Sequence, residues 1–161
     1  MKPKLLFSDD NADLVRKLEE AFNGCPDLTA RVLEPHELPT LEKLDALYVT
    51  FMAAERWRTE LVFYESQVLK TRPEDEGWPP YIVTGIALKP DDPRAGNPTE
   101  ELKLVMNAVL DAIESYNSSN NFPIKNVGFW SESLRIPRMD VYAAGEIIRF
   151  AYEEHFRQEE T

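Results

Sequence analysis

Short apolar runs alternate with stretches of helical periodicity along most of the chain. Leu5, Leu6 and Phe7 form the first run, and Ser8, Asp9, Asp10 and Asn11 follow it, a strand leading into helix-capping residues. Leu14, Val15, Leu18, Ala21 and Phe22 then recur at helical spacing until Asn23 and Gly24 stop the pattern. Residues 28–33 read as a second strand, broken by Glu34, Pro35, His36 and Glu37. Residues 45–50 are apolar without alternation, as in a strand covered on both faces. Helical spacing returns over 53–69, with Trp57, Leu61, Tyr64 and Val68 on one stripe. A breaker-rich loop at 72–80 precedes a fourth strand at 81–88 and the turns of 89–96.

The most regular stretch begins at Asn97. Asn97 can cap a helix, Pro98 sits where a missing N–H costs nothing, and Glu100 can reach back to the cap. Leu102, Val105, Met106, Val109, Ile113 and Tyr116 share one face of that helix. A short strand at 124–130, a loop at 131–137 and a last helix follow, the helix carrying Val141, Ala144, Ile148, Ala151, Tyr152 and His155 on one side. Within it Ala144 and Gly145 are small enough to allow close approach to a sheet. The alternation predicts a single α/β domain over residues 1–161, three-layered (α/β/α), with a mixed or mostly parallel central sheet. In such sheets ligands bind beyond the carboxyl ends of the strands. The segments to search are therefore 8–11, 34–37, 50–54, 84–85 and 130–137.

Composition narrows the partners more than it names them. A formal net charge of −11 opposes binding to nucleic acid or to an anionic membrane, because both need Lys and Arg to neutralise phosphate. A small anion held by backbone amides is still compatible with it. The single cysteine, Cys25, rules out an internal disulfide and any cysteine-rich zinc site, and reads as an inert thiol near a turn. No apolar signal segment precedes the first strand and no run has transmembrane length, so a cytoplasmic location is expected.

Candidate chemistry is sparse. Asp9, Asp10, His36 and Glu37 fall just after strands and are the only plausible suppliers of an acid, base or metal ligand. Their spacing matches no metal motif, and carboxylates in such places cap helices. His155, on the apolar face of the last helix, reads as a packed histidine. No serine lies in a nucleophile elbow and no glycine-rich loop follows a strand, so neither a catalytic site nor a cofactor is expected.

Two segments together resemble the macro domain family. Asp45-Ala46-Leu47-Tyr48, following Glu37-Leu38, is similar to the place where an acidic residue precedes a strand opening Asp-Ala-Ile-Val. Residues 102–130, with Asn107-Ala108 inside the helix and Pro137 where the phosphate loop would close, resemble the family's long helix, strand and loop. Macro domains bind ADP-ribose and related nucleotides, and some hydrolyse ADP-ribosyl linkages. The resemblance implies a macro-like fold with Glu37 near the adenine-recognising acid. It also implies a ligand over the strand ends touching Met52, Ala53, Ser131, Ser133 and Arg135. Val49 and Met52 stand where the family has two asparagines, and Ala53-Ala54-Glu55-Arg56 replaces its first glycine-rich loop. Glu132 and Arg135 replace glycines of the second. A glycine there leaves amide N–H groups open to phosphate, so these substitutions imply an ADP-ribose site altered or lost, without hydrolase activity.

The rival resemblance is to a response-regulator receiver, through Asp9-Asp10 and Thr84. No Asp ends the strand at 45–50 and no Lys follows the strand ending at Trp130, which leaves only a pseudo-receiver acting as an interaction module. The expectation is therefore a non-catalytic domain. It binds a nucleotide-like ligand or, with its cleft filled, works through an outer surface as an interaction module or homo-oligomer.

Overall fold

A computed structural model describes residues 2–32, 44–49, 66–70, 81–84, 91–94, 97–119, 121, 123–129 and 139–159. The elements in chain order are β1 (Lys4–Asp9), α1 (Ala12–Ala21), β2 (Leu28–Val32), β3 (Ala46–Val49), β4 (Ser66–Lys70), β5 (Tyr81–Thr84), α2 (Pro98–Asn117), β6 (Asn126–Phe129) and α3 (Val141–Glu159). The six strands form one sheet in the order β2-β1-β6-β3-β5-β4. Every pairing is parallel except β4 with β5, which is antiparallel. The fold is α/β with a mixed, mostly parallel sheet. Its order differs from the 2-1-3-4-5 arrangement of flavodoxins and receivers, in which the first and third strands are neighbours. Here β6 lies between β1 and β3.

Local signals account for the helix limits. Asn11 caps α1, its side-chain oxygen accepting the N–H groups of Asp13 (3.0 Å) and Leu14 (3.2 Å). Gly24, at φ +85°, takes the left-handed conformation that turns the chain away from the helix. Asn97 caps α2 in the same way, accepting from Thr99 and Glu100 with Pro98 in the first turn. Glu100, expected to reach back to the cap, is paired with Lys103 at 3.5 Å. Asp140 accepts the N–H of Tyr142 at 3.1 Å at the start of α3.

The strand alternation decides what is buried. Leu5, Phe7 and Asp9 of β1 are buried, and the intervening Leu6 and Ser8 are half-buried. Leu5 and Phe7 join Val127 and Phe129 of β6 in one apolar cluster with residues of α1, α2 and α3, so these helices share one face of the sheet. Handedness requires this: the β1-to-β2 and β5-to-β6 crossovers advance in the same direction, and right-handed crossovers then fall on the same side. The helical layer expected on the opposite face lies outside the described residues. No described helix is long and apolar enough to cross a membrane.

One expected element is replaced. The helical stripe read over 53–69 placed Val68 on a helix, whereas residues 66–70 form β4, with Val68 opposite Ile82 of β5. Val68 fits both a helical stripe and a strand, and a five-residue segment beside an open sheet edge gains a ladder of hydrogen bonds by extending. Residues 53–65 lie outside the described residues.

Two side chains stitch α3 to the rest of the fold. Tyr152, buried on α3, donates its hydroxyl to the carbonyl of Pro3 at 2.6 Å. Burial pushes its pKa up, which keeps the phenol protonated as the donor. Arg149 donates to the carbonyls of Asn23 (2.5 Å) and Ala21 (3.3 Å) at the end of α1, and to Glu153 at 2.6 Å. A cation from another helix thus satisfies acceptors that α1 leaves at its carboxyl end. Cys25 is half-buried in the turn after α1, where burial raises its thiol pKa, in keeping with an inert thiol.

Helices α1 and α3 approach closely at Gly145. A Cβ added there would lie 2.7 Å from the Cβ of Ala21 and 3.3 Å from Leu18 Cδ2. Gly145→Ala should therefore destabilise the protein by about 1–3 kcal/mol through overpacking, against the ~1 kcal/mol that alanine otherwise gains in a helix. Adding Ala21→Gly should relieve the clash, so that in urea denaturation the double variant loses less than the sum of the two single variants. Equal midpoints for wild type and Gly145→Ala would show that α1 and α3 are not in contact there.

Candidate functional site

The carboxyl ends of β1, β6, β3 and β5 lie along one edge of the sheet, at Asp9, Phe129, Val49 and Thr84. After β1 the chain turns toward β2, and after β3 it proceeds to the β4–β5 side, so the connections diverge on either side of β6. Such divergence marks the crevice where ligands bind in open α/β sheets. The expected site residues Glu37, Met52, Ala53, Ser131, Ser133 and Arg135 lie outside the described residues, as does His36. The strands leading to five of them are described. Met52 and Ala53 follow β3, and Ser131, Ser133 and Arg135 follow β6; these strands are hydrogen-bonded parallel neighbours, with Tyr48 opposite Phe129. Glu37 comes after β2 in the sequence, and β2 itself is two strands from β6, about 10 Å across the sheet.

The acidic residues after β1 divide by role. Asp9 is 2% exposed and its Oδ1 accepts the N–H of Asn11 at 2.8 Å, closing the turn into α1. Asp10 is exposed. The cap itself is Asn11, so Asp9 supports the capping turn instead of capping the helix. Asp45, which opens the segment similar to Asp-Ala-Ile-Val, has an equally structural task. Its Oδ2 accepts the N–H groups of Lys125 and Asn126, both at 2.8 Å, and so fixes the start of β3 against the start of β6. Asn117, the last residue of α2, clamps the other side of β6 by accepting from Ile124 N–H (2.7 Å) and donating to Ile124 C=O (3.0 Å).

A second polar constellation lies between α2 and α3. His155 is on the inner side of α3, as its apolar neighbours suggested, with its side chain 11% exposed and its ring edge-on to Phe156 at 5.0 Å. It is not simply packed. Its Nε2 is 2.8 Å from Glu114 Oε1 and 4.0 Å from Asp111 Oδ1. The three residues line a groove of about 450 Å³ together with Lys103, Asn107 and Phe150. Sequence reasoning missed this cluster because its members are 41 residues apart. The available signal was Asp111 and Glu114 at i, i+3, which share one side of α2.

The chain matches no known family model, no curated protein and no solved structure. The described geometry therefore carries the functional argument by itself.

Asp9 gives a direct test of the turn at the end of β1. Asp9→Ala should lower stability by about 1–3 kcal/mol by removing the acceptor of the Asn11 N–H. Asp9→Asn keeps an oxygen at that position and should cost less than half as much. Equal urea midpoints for Asp9→Ala and the wild type would show that this bond does not hold the turn.

Proposed function

We propose that this protein is a non-catalytic, macro-like α/β domain that binds a nucleotide-like ligand at the carboxyl edge of its sheet. The observation that carries the reading is the parallel pairing of β3 with β6 at the divergence of the connections. The residues that follow these two strands in the sequence include every candidate contact except Glu37, and the two strands end side by side. Ser131 and Ser133 supply hydroxyls for a ribose or phosphate, and Arg135 supplies a guanidinium for a diphosphate. Glu37 follows β2 in the sequence, and a ligand as long as ADP-ribose would span the ~10 Å between β6 and β2. The strand order, with β6 between β1 and β3, supports this reading over the receiver-like interaction module.

The glycine substitutions predict a weakened site rather than the family's usual one. Calorimetric titration with ADP-ribose should give micromolar to millimolar affinity, and Arg135→Ala should weaken it at least tenfold, the ~1.4 kcal/mol expected of a charged hydrogen bond to phosphate. Absence of heat at millimolar ADP-ribose would overturn ADP-ribose as the ligand. Undiminished binding in Arg135→Ala would remove the loop after β6 from the site.

A further inference from the structure

We propose that Asp111 and Glu114 of α2 and His155 of α3 form a binding site for one divalent transition-metal ion of the zinc class. The ion would sit where the α2–α3 groove meets the half-buried imidazole. One donor atom from each side chain lies within 4.8 Å of the other two. Around a tetrahedral ion with bonds of about 2.0–2.2 Å, donor atoms stand about 3.4 Å apart. The Nε2-to-Glu114 separation of 2.8 Å and the Nε2-to-Asp111 separation of 4.0 Å lie on either side of that value. Small side-chain rotations would therefore bring all three onto a shared centre. On binding, the Nε2 proton that makes the hydrogen bond to Glu114 is released to water. The imidazole then carries its one proton on Nδ1 and gives the freed Nε2 lone pair to the ion, and the direct bond to Glu114 is replaced by two bonds to the metal.

The imidazole separates this cluster from an ordinary acidic patch. At 11% side-chain exposure it is held between the helices, while Glu114 and Asp111 are 32% and 67% exposed and free to adjust. A nitrogen donor beside two carboxylates selects Zn²⁺, Co²⁺ or Ni²⁺ over Mg²⁺ and Ca²⁺, which require oxygen shells. The charged neighbours do not oppose the site. Lys103 is engaged by Glu100 at 3.5 Å and lies over the Phe150 ring at 5.2 Å, and Glu154 is paired with Arg157 at 3.1 Å. The groove beside the three side chains has room for water or a small anion to complete the ion's coordination.

The alternative is a plain hydrogen bond between Glu114 and His155 that ties the two helices. Asp111 separates the two readings, because 4.0 Å is too long for it to share in that bond. The full chain, stripped with EDTA, is titrated with Zn²⁺ by calorimetry and with Co²⁺ by visible absorption. One equivalent of Zn²⁺ should bind, Co²⁺ should develop absorption bands of a low-coordinate site, and the unfolding midpoint should rise with Zn²⁺ but not with Mg²⁺. Asp111→Asn, on the exposed side of α2, should leave the metal-free midpoint unchanged and weaken Zn²⁺ binding at least tenfold. His155→Asn should abolish the Co²⁺ bands, and Glu19→Gln on α1 should change nothing. Unaltered Zn²⁺ affinity in Asp111→Asn, or no stoichiometric binding to the wild type, would overturn the site.

Discussion

The fold depends on one non-local pairing, the insertion of β6 between β1 and β3. The last of the described strands occupies the middle of the sheet, with Leu5 opposite Val127 and Phe7 opposite Phe129. The rings of Phe7 and Phe129 stack with centroids 4.5 Å apart, and all four of these residues are at most 2% exposed. Without β6, the pair β1 with β2 would be separate from the three strands β3, β5 and β4, and neither group would have the centre on which the helices pack. The polar clamps at the start of β6 serve the same pairing. Asp45 holds it from the β3 side, and Asn117 fixes its approach from α2.

The helices follow from that sheet. Because α2 delivers the chain to β6, its apolar face must reach both the sheet and α3, and its buried positions are broader than a single stripe. Ala108, Leu110 and Ala112 are buried along with the periodic Leu102, Met106, Val109 and Ile113. In turn α3 lies between α1 and α2, packed against each. Small residues serve the first contact, at Gly145, and a polar cluster completes the second, around His155. Close packing at one interface and a groove at the other give α3 two unlike sides, which is why one reads as stability and the other as a candidate site.

Both functional readings place chemistry at boundaries of this arrangement. The edge where β3 and β6 end is created by the strand order, and the proposed nucleotide site lies at that edge. The groove between α2 and α3 is on a different part of the molecule, built from helix side chains instead of strand ends. An ion there and a nucleotide at the sheet edge would share no residue.

Much of the local structure was legible in the sequence because local interactions determine it. Asn11 and Asn97 cap their helices, Gly24 terminates α1, and the apolar spacing of α1, α2 and α3 identifies the faces that are buried. The alternation of strands and helices was sufficient for an α/β fold with a mixed sheet. Tertiary structure alone decided the rest. Residues 66–70 became a strand because β5 offers a partner, a fact that no five-residue window contains. The place of β6 rests on register between residues about 120 positions apart, and the anchoring of α3 on Tyr152 and Pro3, 149 positions apart. His155 looked like a core residue because periodicity reports which side of a helix faces inward, not what waits there. Glu114 and Asp111 come to meet it only when α2 and α3 pack, and proximity across 41 residues is a property of the fold and not of the pattern.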